Sequence, residues 1–366
     1  MRVICDRGTL VDALGLMGSV AVQRTPKPVL SCVKVVAGDD GLTLTATDLE
    51  VSLTLNALRV EVEQPGEALV PADKLNAIVR ESIDPTLTLA TEGEVVQITG
   101  QDSKYRIYSQ AVSDFPSVPA FGDEPHFEMV AGDLHRLVAM TIFATARENS
   151  RYAINGVLME RDGKQLTVVA TDGHRLALAK GKAQAAAEGG QSAIVPTKAL
   201  QLLLRLFDDA EQVVKIALAG NRVLFSADHA TLTSSLVEGN FPPYRDVIPK
   251  DGDRRAMLMT DVFISAVRRA ALLTNEESKG VRMAYSPDGL TLSSRAPEMG
   301  EAEINVELAG YEGESIEIGF NPAYLLDALK VMDDKQVQFD FKAPNKPGVL
   351  RTGPDFLYVV MPVNLQ

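Results

Sequence analysis

Along the chain, apolar residues switch between a helical period and a two-residue alternation, and the switch recurs in the same order three times. Leu10, Leu14, Met17 and Val20 predict a helix over residues 10–22. Leu134, Leu137, Val138 and Ile142 predict one over 133–146, and Val262, Ile264, Val267, Ala271 and Leu272 one over 261–274. Strand-like alternation follows each of them, in GLTLTATD (41–48), KQLTVVATD (164–172) and DGLTLSS (288–294). A second helical stretch comes next, carried by Leu75, Ile78 and Val79, by Leu200, Leu203 and Leu204, and by Leu325, Leu326 and Leu329.

The phrases themselves repeat. ALVPADKL (68–75) returns as AIVPTKAL (193–200) and, more weakly, as IGFNPAYL (318–325), so Pro71, Pro196 and Pro322 stand 125 and 126 residues apart. A proline just inside a helix start is favoured because its missing N–H would have had no partner there, so each is expected to open a helix. Asp133 and Asp261 are expected as N-caps. The threonine–aspartate pairs ending at Asp48 and Asp172 are expected as turns, and the third copy loses the aspartate. DFPSVP (114–119) and NFPPYRDVIP (240–249) close the first two units. A solenoid repeat is roughly 20–50 residues long, far below this period. The pattern therefore predicts an α+β protein of three tandem copies of one domain, bounded at 1–120, 126–249 and 250–366.

Composition adds limits. The chain has 366 residues, 46% of them hydrophobic and 23% charged, which suits two or three globular domains. No apolar run is long enough to span a membrane, and the first ten residues carry Arg2, Asp6 and Arg7 where a signal peptide would be apolar. Cys5 and Cys32 are the only cysteines, too few for a disulfide framework or a zinc site. A cytoplasmic protein without metal or cofactor is expected.

Charge cuts across that picture. Thirty-six Lys and Arg against 49 Asp and Glu leave a net charge of −13, which by itself argues against a phosphate-backbone partner. The distribution is uneven, however. Lys74, Arg80, Arg136, Lys198, Arg205, Arg268, Arg269 and Lys330 lie inside the predicted helices, whose acids gather at the ends, with Asp327 the interior exception. Helices sharing one side of an assembly would make that side mildly basic and the remainder acidic; ordinary solvated helix faces are the alternative.

Catalytic signatures are absent: no Walker loop, GxGxxG, HExxH, GxSxG or CxxC occurs. Of His126, His135, His174 and His229, only His174 has a suggestive setting, beside Asp172 in ATDGHRL (170–176). A general base can be imagined there; the simpler reading is a tight Asp-Gly turn whose His174 and Arg175 edge a pocket. The C-terminus, FLYVVMPVNLQ, is apolar almost to its end, where tails are usually polar. It predicts a final edge strand over 356–360, with Met361, Pro362 and Val363 running past it as the lip of a groove.

Together these features resemble the bacterial sliding-clamp family, the β subunits of DNA polymerase III. The resemblance covers the whole chain and is carried most specifically by SRYAING (150–156), ATDGHRL (170–176), FPPYR (241–245) and VVMP (359–362). It implies three clamp-fold domains per chain and a head-to-tail homodimer closed into a ring around double-stranded DNA, loaded by a separate clamp loader. It also implies a non-enzymatic role as processivity factor for the replicative polymerase and other proteins bearing a clamp-binding peptide.

Transferred residue by residue, the resemblance implies a partner-peptide pocket at Ile154, Thr171, Gly173, His174, Arg175, Leu176, Pro242, Val247, Val359, Val360, Met361, Pro362 and Val363. It implies DNA contacts at Arg24, Arg80, Asn149, Tyr152 and Lys198, and a ring seam at Tyr105, Leu272 and Leu273. The chain departs from the family pattern at Asp246, at the ending Val363-Asn-Leu-Gln366, at Ala153 in place of an aromatic residue and at Asp73 in place of a cation. Read without the resemblance, the residues leave open a hydrolase or transferase centred on His174 and Asp172. Within it, a clamp paralogue that serves other partners stays open.

Overall fold

The computed structural model describes residues 1–58, 60–122, 125–146, 153–274, 280–297 and 299–364. Its contacts divide the chain into two units, one of residues 1–132, 183–188 and 198–236, the other of residues 133–182, 189–197 and 237–366. The division cuts through the middle repeat, because the backbone ladder runs from one repeat into the next. In the first unit Ala230–Ser235 pairs antiparallel with Val51–Leu58; in the second, Arg175–Lys182 pairs antiparallel with Phe356–Val360.

Each unit holds one nine-stranded sheet and one smaller sheet. The nine-stranded sheet of the first unit takes five strands from the middle repeat and four from the first. That of the second takes four strands from the middle repeat and five from the last. What remains is a five-stranded sheet in the first unit, with Lys104–Tyr108 at one edge, and a four-stranded sheet in the second, with Gly300–Val306 at one edge.

Alternation decides which face each strand buries. Leu42, Leu44 and Ala46 of Gly41–Thr47 are buried, as are Leu290, Leu292 and Ser294 of Gly289–Ala296. Helices cover those apolar faces: Arg7–Met17 buries Leu10, Leu14 and Met17, and Ala72–Glu81 buries Leu75 and Val79. In the second unit Thr260–Ala271 buries Phe263, Ala266 and Val267, and Pro322–Leu329 buries Leu325 and Leu329. Among the described residues no helix is long and apolar enough to cross a membrane.

Several local expectations change. The first helix starts at Arg7, three residues earlier than the apolar period predicts, because the Asp6 carboxylate caps it by accepting from the Thr9 N–H at 2.8 Å. The stretch predicted over 133–146 is a helix over Ala131–Ala139 followed by a 3-10 turn over Ile142–Ala144. Neither Asp133 nor Asp261 is an N-cap. Both lie in a first turn, where a carboxylate still meets the positive end of the helix dipole. Pro322 is the first residue of its helix, whereas Pro71 and Pro196 end strands, paired with Cys32 and Gly156, and stand one residue ahead of the helices Ala72–Glu81 and Thr197–Leu206, Pro71 as N-cap. The terminal strand Phe356–Val360 is not an edge: it is paired on both sides, with Arg175–Lys182 and with Gly348–Thr352.

Candidate functional site

The pairing of Arg175–Lys182 with Phe356–Val360 in the second unit sets Leu176 opposite Val359 and Leu178 opposite Leu357. These four share one sheet face with Leu158, Val169, Ile194 and Val349, and together they bury an apolar floor. Residues 237–248 are strapped across it, with Val237, Phe241 and Ile248 packed down and Tyr244 buried among them. The Val237 N–H donates to the Ile194 carbonyl at 2.9 Å. The Tyr244 hydroxyl donates to Glu160 Oε2 at 2.5 Å, and Arg245 reaches the same oxygen at 2.7 Å. Burial first, and the Glu160 carboxylate second, push the Tyr244 phenol above its ordinary range, so it remains a donor. Gly156 permits the close packing, since a Cβ there would lie 2.8 Å from the Val195 carbonyl oxygen and 2.9 Å from Val237.

The ATDGHRL turn forms the upper rim. Asp172 Oδ1 accepts from the His174 and Arg175 N–H groups at 2.9 and 3.0 Å, while Thr171 Oγ1 accepts from the Gly173 N–H at 3.1 Å and donates to the Arg175 carbonyl at 2.7 Å. Gly173 has φ +88°, a left-handed conformation that suits glycine. Asp172 is thus spent on the turn. The Arg175 side chain, 10% exposed, donates to Asp172 at 3.0 Å, Asp327 at 2.7 Å and the Phe143 carbonyl at 2.8 Å, and lies 4.4 Å over the Tyr324 ring. Burial disfavours its charge, but Asp327, Tyr358 and Asp172 outweigh that and hold the guanidinium protonated. His174 is exposed, stacks on Tyr324 at 6.4 Å, and gives its carbonyl to the Met361 N–H at 2.9 Å. The Val363 N–H donates to the Gly319 carbonyl at 2.9 Å, so the last described residues are pinned beside the turn.

In this unit the structure places Thr171, Gly173 and His174 in the turn, Leu176 and Val359 in the buried floor, Pro242 and Val247 on the strap, and Met361, Pro362 and Val363 just past the last strand, with Val247 56% and Met361 41% exposed. Ile154 is buried. Arg175 braces the turn from beneath. Val360 belongs to the opposite sheet face and is fully buried, because side chains alternate along the strand. Sequence reasoning missed Tyr324, Phe143 and Glu160, whose residue types give no local signal. Asp327 did give one, as the acid in a helix interior.

The same turn exists in the first unit over a different floor. Thr47 and Asp48 repeat the hydrogen bonds of Thr171 and Asp172, and Leu49, with φ +81°, takes the place of Gly173. There the strand pairing sets Ser52 opposite Thr233 and Thr54 opposite Thr231, where the second unit has leucines and valine. A hydroxyl-lined floor gains nothing from covering an apolar side chain. The two junctions therefore differ in the chemistry of their floors, hydroxyl-bearing in the first and apolar in the second.

Of the other candidates, Arg24 and Arg80 are exposed in the first unit, Arg80 in the last turn of Ala72–Glu81, and Lys198 is ion-paired with Asp48. Asn149 and Tyr152 lie outside the described residues. Tyr105 is exposed on the edge strand Lys104–Tyr108; Leu272 follows Thr260–Ala271 and is 72% exposed, and Leu273 is half-buried near Gly300.

Comparison with known families decides what this architecture is. Residues 1–119, 128–243 and 245–364 match in turn the N-terminal, central and C-terminal domains of the DNA polymerase III beta subunit. The chain belongs to the DNA polymerase III beta subunit family. The beta sliding clamp of Pseudomonas putida is 35% identical to it over the full length of both chains. The crystal structure of the DNA polymerase III subunit beta from Pseudomonas aeruginosa, also 35% identical, superposes with a TM-score of 0.93, both chains covered completely. The DNA polymerase sliding clamp of Bacillus subtilis, 27% identical and equally covered, gives 0.95. The fold of this beta subunit family member is three tandem clamp domains of mixed α+β structure, and it is a DNA sliding clamp.

Proposed function

We propose that two copies of this chain join head to tail in a closed ring that encircles duplex DNA and holds the replicative polymerase to it. The observation carrying this is a pair of unpaired sheet edges. Within the chain, each nine-stranded sheet joins a set of five strands to a set of four across a repeat boundary. The first repeat keeps a set of five ending in Lys104–Tyr108, and the last keeps a set of four ending in Gly300–Val306. These edge strands correspond to the ones that meet at the two junctions inside the chain. Pairing them between copies makes further nine-stranded sheets, removes exposed edges, and sets Lys104 and Arg106 within reach of Glu301 and Glu303.

In this reading the domains are 1–120, 126–249 and 250–366, and Tyr105, Leu272 and Leu273 flank the seam. Arg24, Arg80, Asn149, Tyr152 and Lys198 face DNA. The groove over Leu176 and Val359 takes a short extended peptide with leucine and phenylalanine side chains, from the polymerase and from other partners. The protein works in the cytoplasm, performs no catalysis, and needs a separate clamp loader to open it. Burying a leucine and a phenylalanine contributes about 1.5–3 kcal/mol each, and ordering the peptide offsets much of it, so micromolar binding is expected.

The test is topological. After loading on nicked circular DNA, the protein should stay bound through a high-salt wash and slide off once the circle is linearised. Equal retention on circular and linear DNA overturns the ring.

A further inference from the structure

Beside the strap, on the same sheet face as the groove, lies a second cavity of about 870 Å³. It is within the roughly 300–1,000 Å³ usual for binding pockets. Its walls differ in chemistry from the apolar groove: Lys250, Arg255, Lys342, Lys346 and Arg351 contribute five cations against the acids Asp246, Asp251 and Asp340. Such an excess is notable in a chain of net charge −13.

Two of the three acids are already committed. Asp340, at the base, accepts from Arg255 Nε at 3.0 Å, Arg351 Nε at 3.4 Å and Gln338 Nε2 at 2.7 Å. One carboxylate on the central strand thus holds a guanidinium from each neighbouring strand, Arg254–Met259 and Gly348–Thr352. Each arginine spends its Nε on Asp340; Arg255 also turns its Nη1 toward Glu312 at 3.9 Å, whereas Arg351 keeps its forked Nη edge, the part that binds a carboxylate in bidentate fashion. Asp251 is paired with Lys342. Lys250 and Lys346 are exposed and have no ion pair among the described residues.

Val247 ties this cavity to the groove, since it belongs to the strap and lines the cavity as well, with Leu357 in both floors. A peptide seated between the exposed Val247 and Met361 would continue past Val247 into this cavity.

We propose that this cavity docks an acidic stretch of the partner polypeptide that flanks the segment held in the groove. The inference rests on the groove reading and adds a second, electrostatic anchor to it. A peptide suits the site better than a nucleic-acid strand, because the cavity adjoins the strap through Val247 and so lies in line with a polypeptide held in the groove.

Three synthetic peptides test it, a Gln-Leu-Ser-Leu-Phe core and the same core followed or preceded by four glutamates, titrated by fluorescence anisotropy into the full-length protein at low and moderate salt. The acidic flank should tighten binding about tenfold at low salt, as expected of several exposed charge pairs, and less as salt rises. In Lys250→Glu/Lys346→Glu, whose changes are on exposed side chains, the flank's gain should vanish while core affinity is unchanged. Arg351→Ala should give a smaller loss of the same kind. A flank that gives no gain, or a gain that survives in the double variant, overturns the proposal and leaves the groove standing. A core that does not bind, beside a flanked peptide whose binding is lost in the variant, overturns the groove and supports the cavity. Displacement of the flanked peptide by single-stranded oligothymidylate at lower concentration than by free polyglutamate overturns the assignment to an acidic peptide.

Discussion

Arg175 and Asp327 lie 152 residues apart and meet at 2.7 Å, so that a guanidinium from the turn of the middle repeat is held by a carboxylate on a helix of the last. The same guanidinium anchors Asp172 and the Phe143 carbonyl. One side chain therefore fixes the rim of the groove to two elements beneath it. Arg175→Ala leaves Asp172 and that carbonyl without their donor and should cost about 3 kcal/mol, whereas Asp327→Asn, at a position one-third exposed, should cost about 1 kcal/mol. Urea unfolding of the two variants checks the order, and equal losses would contradict it.

Removing residues 361–366 takes away Met361, Pro362 and Val363 but leaves both strand ladders of Phe356–Val360 in place. The truncated chain should keep its thermal midpoint within a few degrees and still dimerise, while affinity for the core peptide falls at least tenfold by calorimetry. Val359→Thr, which copies Thr233 of the first junction, should weaken peptide binding several-fold by placing a hydroxyl in the floor.

The seam makes an electrostatic prediction. Glu301→Lys/Glu303→Lys should shift the protein toward monomer in sedimentation velocity at micromolar concentration, and Lys104→Glu/Arg106→Glu should do the same. Mixing the two variants should restore both seams, one with the original charges and one with the charges exchanged, giving a closed mixed dimer. Leu272→Asp/Leu273→Asp should give monomer with no such rescue.

Burial pushes the Cys5 thiol up to about 12, and burial likewise raises Cys32. An unfolded thiol ionises near its ordinary value of about 8.5. Above that pH the unfolded chain has lost protons that the folded chain keeps, so this contribution to stability is complete below it and declines as pH rises toward 12. A thiol reagent at pH 8 should label neither cysteine in the folded protein and both in guanidinium. Between pH 8.5 and 10.5 the urea midpoint should fall further for the parent than for Cys5→Ala.

The sequence alone determined the triplication, because the change from helical to strand period is written three times in local apolar spacing. It also determined the Thr-Asp turns, whose hydrogen bonds close within four residues of chain. Even Asp327 was marked in advance, as an acid where helix interiors otherwise carried cations. Tertiary structure alone decided the rest. Which strand is an edge depends on ladders between repeats, so the terminal strand, which reads as an edge, is interior, and Lys104–Tyr108 and Gly300–Val306 are left open. The groove needs Leu176 opposite Val359, a pairing across 183 residues that no local pattern encodes. Neither Asp133 nor Asp261 caps its helix, since the preceding strand runs directly into each one and fixes where it starts. Local periodicity sets what each segment buries, and only the register between distant strands sets what those buried faces meet.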